Sequence, residues 1–150
     1  MTDNSKLNEI YDAIPHRPPF LFVDEIVEIS ENKIVTLKKM EPCFDFFKGH
    51  YPKNPIVPGV ILCEAAFQSG AVLISKTREI SKNAVPVVTR AGEIKFRKMV
   101  KPGDTIEITV EIIEKVSSAY FMKASVSSNG KNVMRCEFAV SEVESGGEAK

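Results

Sequence analysis

The sequence lacks a net charge, an even set of cysteines and a recognisable secretion signal, and each absence argues against a class of protein. Twenty basic and 20 acidic residues balance one another, so bulk charge does not favour a nucleic-acid binder. The N-terminus has no basic segment followed by an apolar one, and we therefore expect no signal peptide. Cys43, Cys63 and Cys136 are widely spaced. They fit reduced thiols in the cytoplasm better than a disulfide framework or a metal site.

The sequence also lacks an uninterrupted apolar run of membrane-spanning length. Residues 56–74 come closest, but Pro58, Gly59, Glu64 and Gln68 interrupt them. A carboxylate and an amide near the centre of a bilayer are costly. We interpret this run as a helix inside a soluble fold and expect no membrane span.

The hydrophobic pattern of the 150 residues predicts a single α+β domain. We expect an N-terminal helix within residues 1–13, one long helix from Gly59 to about Lys76, and a flexible tail at 144–150. Strands are expected within residues 20–29, 33–40, 85–100, 105–116, 119–128 and 132–143. Asn129-Gly130 predicts a tight hairpin. Because the long helix is apolar nearly all round, a curved antiparallel sheet wrapped around it is the economical packing.

Glu64 is the first candidate for chemistry, because it lies in an apolar run and a glutamate is rarely buried without a partner. His50 lies in a proline-rich loop before the helix, and histidine suits proton transfer near neutral pH. The helix start at Gly59 offers backbone N–H groups that can polarise a carbonyl oxygen. Together these groups suit removal of a proton beside a carbonyl with loss of a β-hydroxyl. Spacing alone leaves a structural histidine and a solvated glutamate as alternatives.

Gln68 follows Glu64 by four residues and therefore shares its helix face. Its amide either orients the Glu64 carboxyl group or is a plain polar residue of the core. His16 lies between prolines, and we expect it to support the fold rather than the chemistry.

The stretch GHYPKNPIVPGVILCEAAFQ, residues 49–68, resembles the signature GHFPxxPxxPGVLxxEAxAQ of the FabZ-type beta-hydroxyacyl-ACP dehydratases. PHRPPFLFVDEI and KFRKMVKPGDTIEI resemble two further segments of this FabA/FabZ-like family. The resemblance extends over about residues 14–140 and implies the hot-dog fold, in which a curved sheet wraps a central helix. It implies dehydration of (3R)-3-hydroxyacyl-ACP to trans-2-enoyl-ACP in fatty acid or related lipid biosynthesis.

The same resemblance implies roles for individual residues. His50 would be the catalytic base of one subunit, Glu64 the acid of the other, and the Gly59 amide the donor to the thioester carbonyl. It implies a homodimer with shared active sites, and leaves a trimer of dimers open. No metal or cofactor is implied, because the substrate arrives on the 4'-phosphopantetheine of an acyl carrier protein, or as a CoA thioester.

Two groups of residues have open interpretations. Phe46, Phe47 and Phe67 either line an acyl tunnel or only pack, and Phe67 stands where the family has a small residue. A basic run is either a docking surface for an acidic carrier or a solvated face; it consists of Arg90, Lys95, Arg97, Lys98 and Lys101. Two other functions also remain possible on this sequence: a hot-dog acyl thioesterase, and a non-catalytic module that binds acyl thioesters.

Overall fold

The computed structural model describes residues 4–144 of the protein. The helices are α1 (Asn4–Ala13), α2 (Phe46–Gly49) and α3 (Gly59–Thr77). The strands are β1 (Glu25–Ile29), β2 (Lys33–Lys39), β3 (Ala84–Phe96), β4 (Thr105–Val116), β5 (Ala119–Ser128) and β6 (Lys131–Glu144). Of the expected N-terminal helix, residues 1–3 lie outside the described residues. Of the expected tail, Glu144 ends β6 and residues 145–150 lie outside the described residues.

The six strands form one antiparallel sheet in the order β1-β2-β4-β5-β6-β3. Within the described residues, β1 and β3 are therefore the edges of the sheet. The helix α3 contacts the strands β2 to β6 as well as the helix α1, which places it across the inner face of the sheet. The predicted α+β arrangement of a long helix wrapped by an antiparallel sheet is confirmed.

The long helix α3 fits closely against the sheet. Eleven of its 19 residues are buried. The helix is apolar and long enough to cross a membrane, but in this fold its apolar side chains pack in the protein core. A Cβ atom at Gly70 would lie 2.9 Å from Cζ of Phe138 and 3.0 Å from Sδ of Met122. Glycine is therefore needed where helix and sheet approach most closely. Ser69 Oγ and Thr36 Oγ1 share a buried hydrogen bond of 2.8 Å that links α3 to β2.

The strands of the second half of the chain follow the sequence pattern closely. In β4 the side chains of Ile106, Ile108 and Val110 are fully buried, as the alternation predicts. The turn between β5 and β6 contains Asn129 with φ 53° and Gly130 with φ 75°. Two successive positive φ values are typical of a two-residue hairpin turn of type I′, and asparagine and glycine adopt them at low cost.

The structure differs from expectation in three places. The strand expected from residue 20 begins only at Glu25, because the backbone of residues 20–22 is bonded to the side chain of Gln68 and not to a neighbouring strand. The proline-rich loop before α3, for which no regular structure was expected, contains the short helix α2. The strand β3 ends at Phe96 and not at residue 100.

Candidate active site

Glu64 lies in the second turn of α3, and its side chain is 24% exposed in the single chain. Its Oε1 atom accepts a hydrogen bond of 3.1 Å from Nε2 of Gln68, one helical turn further along. The carboxyl group is thus half-buried and hydrogen-bonded on one oxygen, and Glu64 lines a cavity. The cavity has a volume of about 350 Å³.

Gln68 is buried, with 1% of its surface exposed, and both polar atoms of its side chain are hydrogen-bonded. Its Oε1 accepts the Phe22 N–H at 2.7 Å. Its Nε2 donates to the Phe20 carbonyl at 3.1 Å as well as to Glu64. Because the Phe22 N–H can only donate, it fixes which end of the amide is oxygen. The irregular segment before β1 therefore holds the residue that contacts the carboxyl group.

His16 also reaches Glu64 from that segment. Its Nε2 lies 3.8 Å from Oε1 of Glu64, and both residues line the same cavity. The sequence interpretation gave His16 a fold role and missed this contact. No spacing signal could have found it, because the two residues are far apart in the chain and meet only when the proline-rich segment folds over α3.

His50 follows α2 in the loop that leads to α3. Its Nδ1 lies 3.0 Å from the Ile56 carbonyl oxygen, and its ring meets the Tyr51 ring edge-on with 4.8 Å between centroids. Tyr51 has φ 52°, an uncommon conformation for a residue with a bulky side chain. His50 does not line the cavity beside Glu64. Within the described residues of one chain, these two candidates are therefore not brought together.

The start of α3 is open on its polar side. Pro58 precedes the helix without a side-chain cap, and its carbonyl accepts the Ile61 N–H at 2.9 Å. The first amides of a helix have no carbonyl partner within it, so the Gly59 N–H is available to a ligand. A Cβ atom at Gly59 would lie 2.7 Å from Cζ of Phe96. The Phe96 ring thus covers one side of the helix start.

The phenylalanines proposed for a tunnel lie in two places. Phe46 and Phe47 form a cluster at α2, with 4.6 Å between their centroids. Phe67 lines the cavity beside Glu64 and lies 5.0 Å from the Phe138 ring between centroids. Phe67 therefore limits the space next to the carboxyl group.

The basic run lies on the β3 side of the sheet, and each member is exposed: Arg90, Lys95, Arg97, Lys98 and Lys101. Lys95 and Arg97 border a cleft of about 450 Å³ together with Lys123 and Arg135. Two acids, Glu93 and Glu137, border the same cleft. The cleft is therefore mixed in charge, with cations in excess.

Neither thiol of the core is suited to nucleophilic chemistry. Burial raises the pKa of Cys136 to about 12, and burial also raises the pKa of Cys63. Both groups therefore stay protonated near neutral pH, and the reactive form of a cysteine is the thiolate. Among residues 4–144, no group of three or more histidine, cysteine, aspartate or glutamate side chains is placed to hold a metal ion.

A long helix wrapped by an antiparallel sheet, with a carboxyl group of that helix facing a cavity, defines a hot-dog protein with a polar site on its central helix. The FabA-like domain family matches residues 14–137. The chain belongs to this family, in its FabZ branch.

Three relatives carry the name 3-hydroxyacyl-[acyl-carrier-protein] dehydratase FabZ. The protein of Clostridium perfringens is 41% identical over 83% of this chain and 89% of the relative. The protein of Rickettsia bellii is 37% identical over 88% of this chain and 92% of the relative. The protein of Caulobacter vibrioides is 38% identical over 94% of this chain and 90% of the relative. The similarity extends over most of this chain and of each relative, so it includes the segments that contain His50 and Glu64.

Solved structures with low identity support the fold. The dehydratase heterocomplex ApeI:P from Xenorhabdus doucetiae superposes with a TM-score of 0.75 at 11% identity, covering 90% of this chain and 91% of that one. The PaaI protein of E. coli gives a TM-score of 0.66 at 13% identity, covering 93% of this chain and 97% of that one. At these identities the similarity concerns the fold alone.

Proposed function

We propose that the protein dehydrates (3R)-3-hydroxyacyl thioesters carried on an acyl carrier protein to trans-2-enoyl thioesters, as part of fatty acid or related lipid biosynthesis. The observation that carries this proposal is the identity of 37–41% with named FabZ dehydratases over most of the chain. The half-buried Glu64 beside a cavity supports it chemically.

A group of the protein is proposed for each step of the reaction. His50 removes a proton from C2 of the substrate, and Glu64 gives a proton to the hydroxyl group on C3. The hydroxyl then leaves as water and a double bond forms between C2 and C3. The Gly59 N–H donates to the thioester oxygen, where negative charge develops as the C2 proton leaves. Each of these groups belongs to the polypeptide, and the acyl group arrives on phosphopantetheine.

The site is proposed to be shared between two subunits. Glu64 lies within 4.0 Å of His16 in its own chain but not of His50, so His50 of a second copy is the candidate partner. The edge strand β3 supports this pairing, because Val88, Ile94 and Phe96 on it are 38%, 39% and 54% exposed. An uncovered edge with apolar side chains favours strand addition. Val87 and Val88 also line the Glu64 cavity, so a partner seated on β3 lies beside the acid.

A cytoplasmic homodimer that docks an acidic carrier completes the proposal. The basic run is exposed, and it begins on the same edge strand that would form the dimer interface. A carrier bound there would deliver its pantetheine arm close to the shared site. Phe46, Phe47 and Phe67 are proposed to bound the acyl chain. Assembly of dimers into a trimer of dimers is compatible with this arrangement.

Purified protein incubated with 3-hydroxyacyl carrier proteins of several chain lengths, and with the CoA thioesters, tests the function by mass spectrometry. Loss of one water from the intact thioester is the expected result. Release of free thiol would instead identify a thioesterase, and binding without turnover would identify an acyl-binding module. His50→Ala and Glu64→Gln are each expected to lower kcat by ~10²–10⁴, the usual effect of losing a positioned proton-transfer group.

A further inference from the structure

The two oxygens of Glu64 have different surroundings. Oε1 accepts the Gln68 amide at 3.1 Å and lies 3.8 Å from Nε2 of His16. Within residues 4–144, no hydrogen bond or ion pair involves Oε2. One oxygen is therefore held by the protein and the other is left for a ligand.

This difference determines where a proton on Glu64 can be held. Nε2 of Gln68 can only donate, since the Phe22 N–H at 2.7 Å fixes the opposite end of the amide as the oxygen. Oε1 must accept from it, which uses one of its two lone-pair directions. His16 faces the same oxygen. Oε1 therefore lies near two nitrogen atoms and Oε2 near none, which favours Oε2 as the oxygen that carries the proton of the acid.

His16 is held at its backbone and is incompletely satisfied at its ring. Nη1 of Arg17 donates to the carbonyl oxygens of His16 and Ile14 at 2.7 and 2.8 Å, which fixes this part of the segment. Nδ1 of the His16 ring is buried and has no hydrogen-bond partner. Because a buried polar atom without a partner is costly, such a placement calls for a compensating role, and the contact of Nε2 with Glu64 supplies one.

We infer that His16 is a positioning residue for the acid: its Nε2–H faces Oε1 of Glu64, so that Oε2 carries the proton to the departing hydroxyl group. This inference rests on the proposed function and deepens it. Each chain then supplies the acid together with both groups that align it, His16 and Gln68, and the partner chain supplies the base, His50.

Two substitutions at His16 separate alignment from packing. His16→Leu keeps an apolar side chain of similar bulk but removes the N–H, and it is expected to lower kcat between about tenfold and 100-fold with little change in KM. His16→Gln restores an amide donor near the position of Nε2 and is expected to regain most of that loss. Equal losses in both variants, or none in His16→Leu, would overturn the inference.

Coupling to Glu64 provides a second kinetic test. In the Glu64→Gln background, His16→Leu is expected to change kcat less than twofold, because there is no longer a proton to align. A full additional loss in the double variant would mean that His16 acts elsewhere, and would overturn the inference.

Crystal structures of the two His16 variants test the alignment without any activity. In His16→Gln, Glu64 is expected to keep Oε1 on Gln68 as in the parent protein. In His16→Leu, the carboxyl group is expected to turn or to occupy two orientations. An unchanged Glu64 in His16→Leu would contradict the inference even for an active dehydratase. A parent protein that forms no enoyl product would refute the proposed function instead, while the structural comparison would still decide the alignment.

Discussion

Nε2 of Gln68 donates a hydrogen bond of 3.1 Å to Oε1 of Glu64, one turn apart on the central helix. The same Gln68 amide also bonds the backbone of Phe20 and Phe22. The residue that orients the candidate acid is therefore also the residue that holds the segment before β1 against α3. Changes at Gln68 are expected to affect stability and catalysis together.

Gln68→Leu tests this double role. The change leaves the Phe22 N–H without its acceptor in a buried place and is expected to lower the free energy of unfolding by ~1–3 kcal/mol. It also frees the Glu64 carboxyl group, so kcat is expected to fall. Urea denaturation and steady-state kinetics measure the two effects. Lost stability with unchanged kcat would limit Gln68 to a structural role.

Gly70→Ala tests the close approach of α3 to the sheet. The added methyl group would meet the buried side chains of Phe138 and Met122, and overpacking of this kind costs ~1–3 kcal/mol. Gly49→Ala is the matched control, because nothing lies within 4 Å of a Cβ atom there. We expect thermal unfolding to show a lower Tm for Gly70→Ala alone. Equal Tm values for both variants would show that the sheet can move away from the helix.

Ile94→Lys tests the role of the β3 edge in the dimer. Ile94 is 39% exposed in the single chain, and a charge on a strand edge opposes edge-to-edge pairing. We expect light scattering to show a shift toward monomer and kinetics to show a parallel loss of activity.

Ile113→Lys is the control for that change. Ile113 is 58% exposed but lies on β4, between β2 and β5 in the sheet. It is expected to leave the oligomeric state unchanged. Dissociation by Ile113→Lys but not by Ile94→Lys would place the dimer interface on the outer face of the sheet.

The reactivity of the three cysteine thiols tests the packing of the core under native conditions. Burial raises the pKa of Cys63 and raises that of Cys136 to about 12, so both stay protonated at pH 8 while folded. Cys43 is exposed. A thiol reagent at pH 8 is therefore expected to modify Cys43 fast and the other two only after denaturation. Rapid modification of all three in the folded protein would contradict the described core.

The sequence alone predicts the fold, but it does not predict the contact between His16 and Glu64. The alternation in β4, the Asn129-Gly130 turn and the all-apolar long helix are local signals, and each appears in the structure as expected. The contact of His16 with Glu64 depends on how a proline-rich segment without regular structure folds over α3. No local pattern encodes that path, because the hydrogen bonds that hold it come from the side chains of Gln68 and Arg17 and not from a strand.

The sharing of one site by two chains is tested most directly by mixing inactive subunits. His50→Ala and Glu64→Gln chains are unfolded together, refolded as a mixture and assayed for dehydration. If His50 of one chain serves Glu64 of the other, random pairing in a symmetric dimer restores about one quarter of the parent activity. If each chain builds its own site, the mixture stays as inactive as its two components, and that result would contradict the account.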